Sequence, residues 1–173
     1  DSKVDALARS LAADQRDLAE LANNASLQLY LWQLVRARQQ PTTDDAQTES
    51  AQQAYLRNLL LAAAERGGYM PDPATRVPAN LPRSLSYGLA LLDAELRPVV
   101  VTPGLGELAD SYGEVMRGAL AKPGATLVDL RLDAEDRAVV VIAVAVAAVS
   151  GSLTGGGPPN GVLVGVRQLV VGH

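Results

Sequence analysis

Two near-copies stand out among the residues that could do chemistry, Leu92–Val100 and Leu132–Val140. Their phrases Leu92-Asp93-Ala94-Glu95 and Leu132-Asp133-Ala134-Glu135 each set two carboxylates two positions apart. Paired carboxylates serve general acid–base catalysis when a substrate and a suitable partner group sit within hydrogen-bond reach. No such partner is legible nearby. The chain has a single histidine, the last residue His173, which reads as a linker position, and it has no cysteine. Disulfides and thiolate metal sites are therefore excluded, and histidine-based catalysis or zinc chemistry has no constellation to work with. An Asp that opens a tight turn bonds its own backbone two residues on. The twin phrases are thus read as hairpin turns, and the expectation is that the chain is not an enzyme, holds no metal and carries no cofactor.

Other polar residues invite a binding role. Tyr112 offers a hydroxyl on an apolar body, or else is a tyrosine at the edge of a core. Arg117 has the planar fork that clamps a carboxylate bidentately, or else it lies on a solvated helix face. Asp129 and Arg131 share one face of a strand, lining a polar pocket or facing solvent, and Arg167 on the last strand stands in a similar position. The Pro103-Gly104-Leu105-Gly106 loop ahead of a helix could turn N–H groups toward an anion, but so short a pattern is too common to count as a phosphate motif.

The elements that must position these residues follow from length and periodicity. A length of 173 residues fits a single domain, 1–173. Hydrophobic residues make up 48% of the chain, yet there is no Phe, one Trp and five Tyr, so the core has to be built from Val, Leu and Ala. The formal charge is −4, with acids and bases interspersed, whereas nucleic-acid binding asks for a clustered basic face and rings for stacking. No nucleic-acid partner is expected. The chain opens on Asp1 without a basic, then apolar, leader, as a fragment of a longer protein would. Its longest apolar run, Ala138–Val149, is shorter than the ~20 residues a membrane span needs. Transmembrane segments are expected to lie outside this stretch.

Residues 1–67 read as a helical pair. Val4, Leu7, Leu11, Leu18, Leu21, Ala25, Trp32 and Val35 recur at helical spacing and predict one long helix over 2–39, about 55 Å in length. In heptads one seam is Val4, Leu11, Leu18, Ala25 and Trp32. The other, Leu7, Asp14, Leu21, Gln28 and Val35, is interrupted by Asp14 and Gln28. Pro41 breaks the helix, a second begins near Asp44, and Gly67-Gly68 stops it. Residues 68–84 are a proline-rich loop.

Residues 85–173 read as a small antiparallel sheet of five strands. Leu85, Tyr87, Leu89 and Leu91 alternate with small residues. Arg97–Thr102 follows, with Pro98 marking an edge strand or a late start. Glu107–Ala121 is an inserted helix. The last three strands are 126–133, Ala138–Val149 and Gly161–Val171, with a Gly/Pro-rich loop, Ser150–Asn160, expected to be mobile. In the fourth strand the odd face shrinks from Val139 and Val141 to Ala143, Ala145 and Ala147. Three alanines on one face make room for a helix or a ligand.

The order of these elements, with the phrases "GLALLDAELRPVVVT", "DSYGEVMRGALAKPG", "RAVVVIAVAVAAV" and "GVLVGVRQL", resembles the Cache (PDC) family of extracytoplasmic sensor domains. The resemblance covers the chain in order. It implies an α+β fold in which a long N-terminal helix and a second helix pack on a five-stranded antiparallel PAS-like sheet with one inserted helix. It also implies that the inserted helix, the loop before it and the central strands contact the ligand. Here that points to Tyr87, Tyr112, Arg117, Asp129 and Arg131, over the alanine face at Ala143 and Ala145. The function implied is a periplasmic or otherwise extracytoplasmic input domain of an inner-membrane histidine kinase, chemoreceptor or cyclic-dinucleotide enzyme. Its expected partners are a small molecule and a second copy, the latter through the N-terminal helix. The alternative is a ligand-free PAS-like structural or dimerisation module.

Overall fold

Two asparagines end the first helix sooner than its periodicity predicts. In the computed structural model, which describes residues 2–39, 45–67, 69, 87–102, 112–122, 125–132, 138–147 and 159–168, helix α1 spans Ser2–Ala22 and α2 spans Ala25–Gln39. The single helix expected over 2–39 is corrected accordingly. Asn24 turns its side chain to the backbone, and its Oδ1 accepts from the Leu27 N–H at 3.0 Å. This is the N-cap bond that opens a helix, and it competes with helix continuation because a short polar side chain can replace a backbone partner. Gln28, one of the polar interruptions of the heptad seam, donates back to the Ala22 carbonyl at 3.3 Å, satisfying an acceptor that the end of α1 leaves open. At 21 residues, α1 is ~31 Å long.

Helix α3, Asp45–Gly67, returns along α2. Tyr30 meets Tyr55 edge to face with centroids 4.8 Å apart, and Gln52 donates to Gln33. The pairs 30 with 55 and 33 with 52 run in opposite senses, so the expected antiparallel helical pair is formed by α2 and α3.

The five strands are β1 Gly88–Asp93, β2 Pro98–Val101, β3 Thr126–Leu132, β4 Ala138–Val146 and β5 Gly161–Gln168, with helix α4, Gly113–Ala121, inserted after β2. They form one antiparallel, PAS-like sheet in the order β2-β1-β5-β4-β3. β2 is an outer strand, as its proline requires, and α3 reaches it through Gln53, whose Nε2 donates to the Val99 carbonyl at 2.9 Å. The first hairpin turn is built as its residues predict. Asp93, buried, accepts from the Glu95 and Arg97 N–H groups through Oδ1, both at 2.9 Å. Its twin at 133–137 lies outside the described residues, as do the Pro-rich loop beyond Tyr69, the Pro103–Gly106 loop and the segment 148–158.

The sheet is covered on both faces, so its central strands are apolar on both. Val140, Ile142, Val144 and Val146 of β4 join Leu89 and Leu91 of β1 in a core with Leu18, Leu21, Leu27, Leu31, Leu34, Leu56 and Leu60 of the three long helices. On the other face Val139, Val141 and Ala143 meet Val115, Met116 and Ala119 of α4, with Ala90, Leu92, Val162, Val164 and Val166 beside them. A helix thus fills the space over the first of the three alanines. Strict alternation would set Tyr87 beside Leu89; instead it packs on the α4 side. The change of side falls at Gly88, whose φ of 157° is open to a residue without a Cβ.

Helix α1 runs antiparallel to β5. Arg167 near the end of the strand reaches Ser10 and Asp14. Gly165 lies under Leu18, and Gly161 at the strand's start lies under Leu31 of α2. The start of α1 therefore projects past the end of β5, and the two lie at the same end of the sheet.

Candidate functional site

Three of the residues selected from the sequence come together beside α4. Tyr112 opens that helix, and β3 presents Asp129 and Arg131 on the α4 side of the sheet, opposite Val141 and Val139 of β4. Arg131 pairs with Asp129, and its guanidinium carbon lies 5.2 Å from the centroid of the Tyr112 ring. A guanidinium held by a carboxylate and laid over an aromatic face is a preorganised donor group. All three side chains are half-buried, at an outer strand, so they make a rim and not an enclosed chamber. Tyr87 is buried in the same cluster. Arg117 stands apart: it is exposed, and its Nη1 lies 3.0 Å from where a Cβ on Gly113 would be, so it folds back along α4 over a residue that has no side chain. Ala143 lies buried in the α4 cluster and Ala145 is half-buried one pair further along β4.

A second constellation lies on the opposite face, and it was not put together from the sequence. Asp14 of α1 and Arg167 of β5 form an ion pair with both side chains largely buried; Arg167 also donates to Ser10 Oγ at 3.1 Å. Next to them is Tyr69, just past α3, tied by its backbone N–H to the Ala64 carbonyl at 2.8 Å. Its ring is gripped between two glycines: a Cβ at Gly67 would lie 2.8 Å from its Cε2 and a Cβ at Gly165 2.9 Å from its Cε1. The residue is only 2% exposed. Among the described residues no hydrogen bond of good geometry reaches its hydroxyl or the Nε of Arg167, although the Arg167 guanidinium lies close enough to the hydroxyl to favour its ionised form. Burying polar atoms without a partner is costly, so these two are notable.

The electrostatics follow from that burial. Desolvation pushes the Asp14 carboxyl above its ordinary value; Arg167 opposes the push and Asp17 adds to it. Desolvation also raises the Tyr69 phenol well above its usual range, with Asp14 adding to the rise, so that it stays neutral. Beside this cluster opens a cavity of about 440 Å³, between α1, α3 and β1. Leu18, Leu21, Leu59, Ala63 and Leu89 form its apolar lining, while Asp17, Glu20, Asn24, Arg66 and Tyr69 supply its polar groups.

A signal for this cluster was present in the sequence. Asp14 interrupts a hydrophobic seam, and Arg167 interrupts an apolar strand. A lone acid and a lone base, each on an otherwise buried face, are candidates to pair. What the sequence lacks is the register that sets α1 against β5.

No family model and no curated protein matches the chain. Among solved structures, a Mycobacterium tuberculosis transcriptional regulator is similar over 78% of this chain, at 15% identity and a TM-score of 0.35, and the chain spans 56% of that protein's length.

Proposed function

We propose that this chain is the ligand-sensing input domain of a membrane-bound signalling protein, placed outside the inner membrane. The observation that carries this reading is a shared end of the sheet: the first turns of α1 project past the end of β5, and a buried ion pair, Asp14–Arg167, ties one to the other. A domain whose two ends leave together can pass a displacement of one against the other to segments anchored in one plane, and helix shifts of ~1–2 Å are enough to switch such proteins. The five-stranded antiparallel sheet and the inserted helix support the same reading, since a Cache domain would require both. In this account the ligand sits over the Tyr112–Asp129–Arg131 rim on the α4 side, where Arg131 would meet an anionic or carbonyl group. Association of two copies through the exposed start of α1, where Val4 is 61% exposed, belongs to the same proposal.

The test is a thermal-shift screen of the chain against carboxylates, amines and amino acids. A ligand that binds only the folded state raises the melting temperature, by RT ln(1 + [L]/Kd) in stability. The reading expects one chemical class to stabilise the chain reproducibly, and Arg131→Gln to abolish that shift. No response from any class at millimolar concentration would leave the ligand-free interaction module as the better account.

A further inference from the structure

The cavity between α1, α3 and β1 lies across the sheet from the rim just described, so it is a separate site. Its walls are charged with opposite sign. Asp17 and Glu20 stand on α1 and Arg66 stands on α3. Among the described residues none of the three is in an ion pair. The lining between them is apolar: Leu21, Leu59, Ala63 and Leu89. At its edge stands the ring of Tyr69, whose hydroxyl is buried beside Asp14 and Arg167. A volume of about 440 Å³ falls in the range of small-molecule sites, and an apolar body with a few convergent polar groups is the usual composition of such sites.

We propose that this cavity binds a small organic zwitterion whose two charges are separated by an apolar chain. Its ammonium end faces Asp17 and Glu20, its anionic end faces Arg66, and its apolar chain lies against Leu21, Leu59, Ala63 and Leu89. Asp17 and Glu20 stand on one helix and Arg66 on another, with no ion pair between them across the cavity, so the molecule's charges are set several bonds apart, further than in an α-amino acid. Leu18 and Tyr69 both line the cavity and both press on Gly165 of β5. A molecule seated there therefore touches the residues that hold α1 against the last strand.

The test is calorimetric and NMR titration of the whole chain with 6-aminohexanoate, compared with hexylamine and hexanoate, which carry one end each, and with leucine, whose charges are adjacent. Saturable binding of 6-aminohexanoate is expected, at least about fivefold tighter than either single-ended analogue and tighter than leucine. Arg66→Gln and the pair Asp17→Asn/Glu20→Gln, all at exposed positions that leave the core intact, should each weaken it several-fold. Ala63→Trp, which fills the cavity, should abolish it. Absence of saturable binding up to ~10 mM, equal binding of hexylamine, or binding that survives Ala63→Trp while the variant keeps its fold by circular dichroism would each overturn the proposal. The α4-side rim is a separate matter: a ligand lost in Arg131→Gln but kept in Ala63→Trp leaves the sensor reading standing without this cavity. The converse result supports the cavity alone.

Discussion

Replacing Gly165 by alanine drives a methyl group into the seam that joins α1 to the sheet. The added Cβ would lie 2.9 Å from Tyr69 Cε1, 3.0 Å from Leu18 Cδ1 and 3.0 Å from Leu89 Cδ2. Those three residues are at most 2% exposed, and they come from α1, β1 and the chain just past α3, so none can swing aside into solvent. Overpacking of this kind costs ~1–3 kcal/mol. For a chain of this size each kcal/mol lowers the melting temperature by roughly 2–4 °C, so Gly165→Ala should melt about 2–12 °C below the parent by scanning calorimetry. Leu18→Ala alone should cost ~2–5 kcal/mol through the cavity it leaves. In the double variant the new methyl occupies part of that cavity, and the two costs should fall short of their sum by ~0.5–3 kcal/mol. A neutral or stabilising Gly165→Ala would show that α1 does not press on β5 as described. Strict additivity in the double variant would show that Leu18 is not what the methyl meets.

Asn24→Ala removes the cap that opens α2 and should lower stability by ~1 kcal/mol, read in urea denaturation, with Asn24→Asp restoring most of it; no loss would mean that the helix break has another cause. Asp14 gives a pH dependence. Its carboxyl is raised above 3.8 in the folded chain, so the folded state holds that proton more tightly than the unfolded one. The stability it contributes is complete below about pH 3.8 and is lost as pH rises through the higher folded value. The stability of the parent relative to Asp14→Asn should therefore decline with rising pH across that window and level off above it. A difference that grows with pH would mean that Arg167 outweighs the cost of burial.

Much of the fold was legible because period and punctuation agree over most of its elements. Alternation in residues 126–132, the apolar run from Ala138 and the twin Asp turns predict strands where β3, β4 and the first hairpin are found. Pro98 marks an outer strand for a local steric reason. The alanines of β4 indicate a close approach, and α4 supplies it at Ala143. The break at Asn23-Asn24 was hidden because Leu18 and Leu21 before it and Ala25, Trp32 and Val35 after it keep helical spacing, whereas the structure buries Leu27, Leu31 and Leu34 after the break and leaves Ala25 exposed. Spacing alone is blind to a change of axis and of buried face, whereas two asparagines in succession are the local chemistry that makes one. On the candidate sites the sequence pointed to Asp129, Arg131 and Tyr112, two of them linked by a strand's period of two. Asp14, Tyr69 and Arg167 are 55 and 98 residues apart along the chain, and only the packing of three elements brings them together.

The central claim is that a ligand moves α1 against the end of β5 at one shared end of the sheet. Because the chain has no cysteine, spin labels can be attached through Ser2→Cys and Gln168→Cys alone and their separation followed by pulsed dipolar spectroscopy. Ser10 is hydrogen-bonded to Arg167, and eight further residues of helix add ~12 Å, so a backbone separation of about 15 Å is predicted. Saturation with a stabilising ligand from the thermal-shift screen should change it by ~1–2 Å. A separation beyond the ~31 Å length of α1, or a short one that the ligand leaves unmoved, would contradict the account.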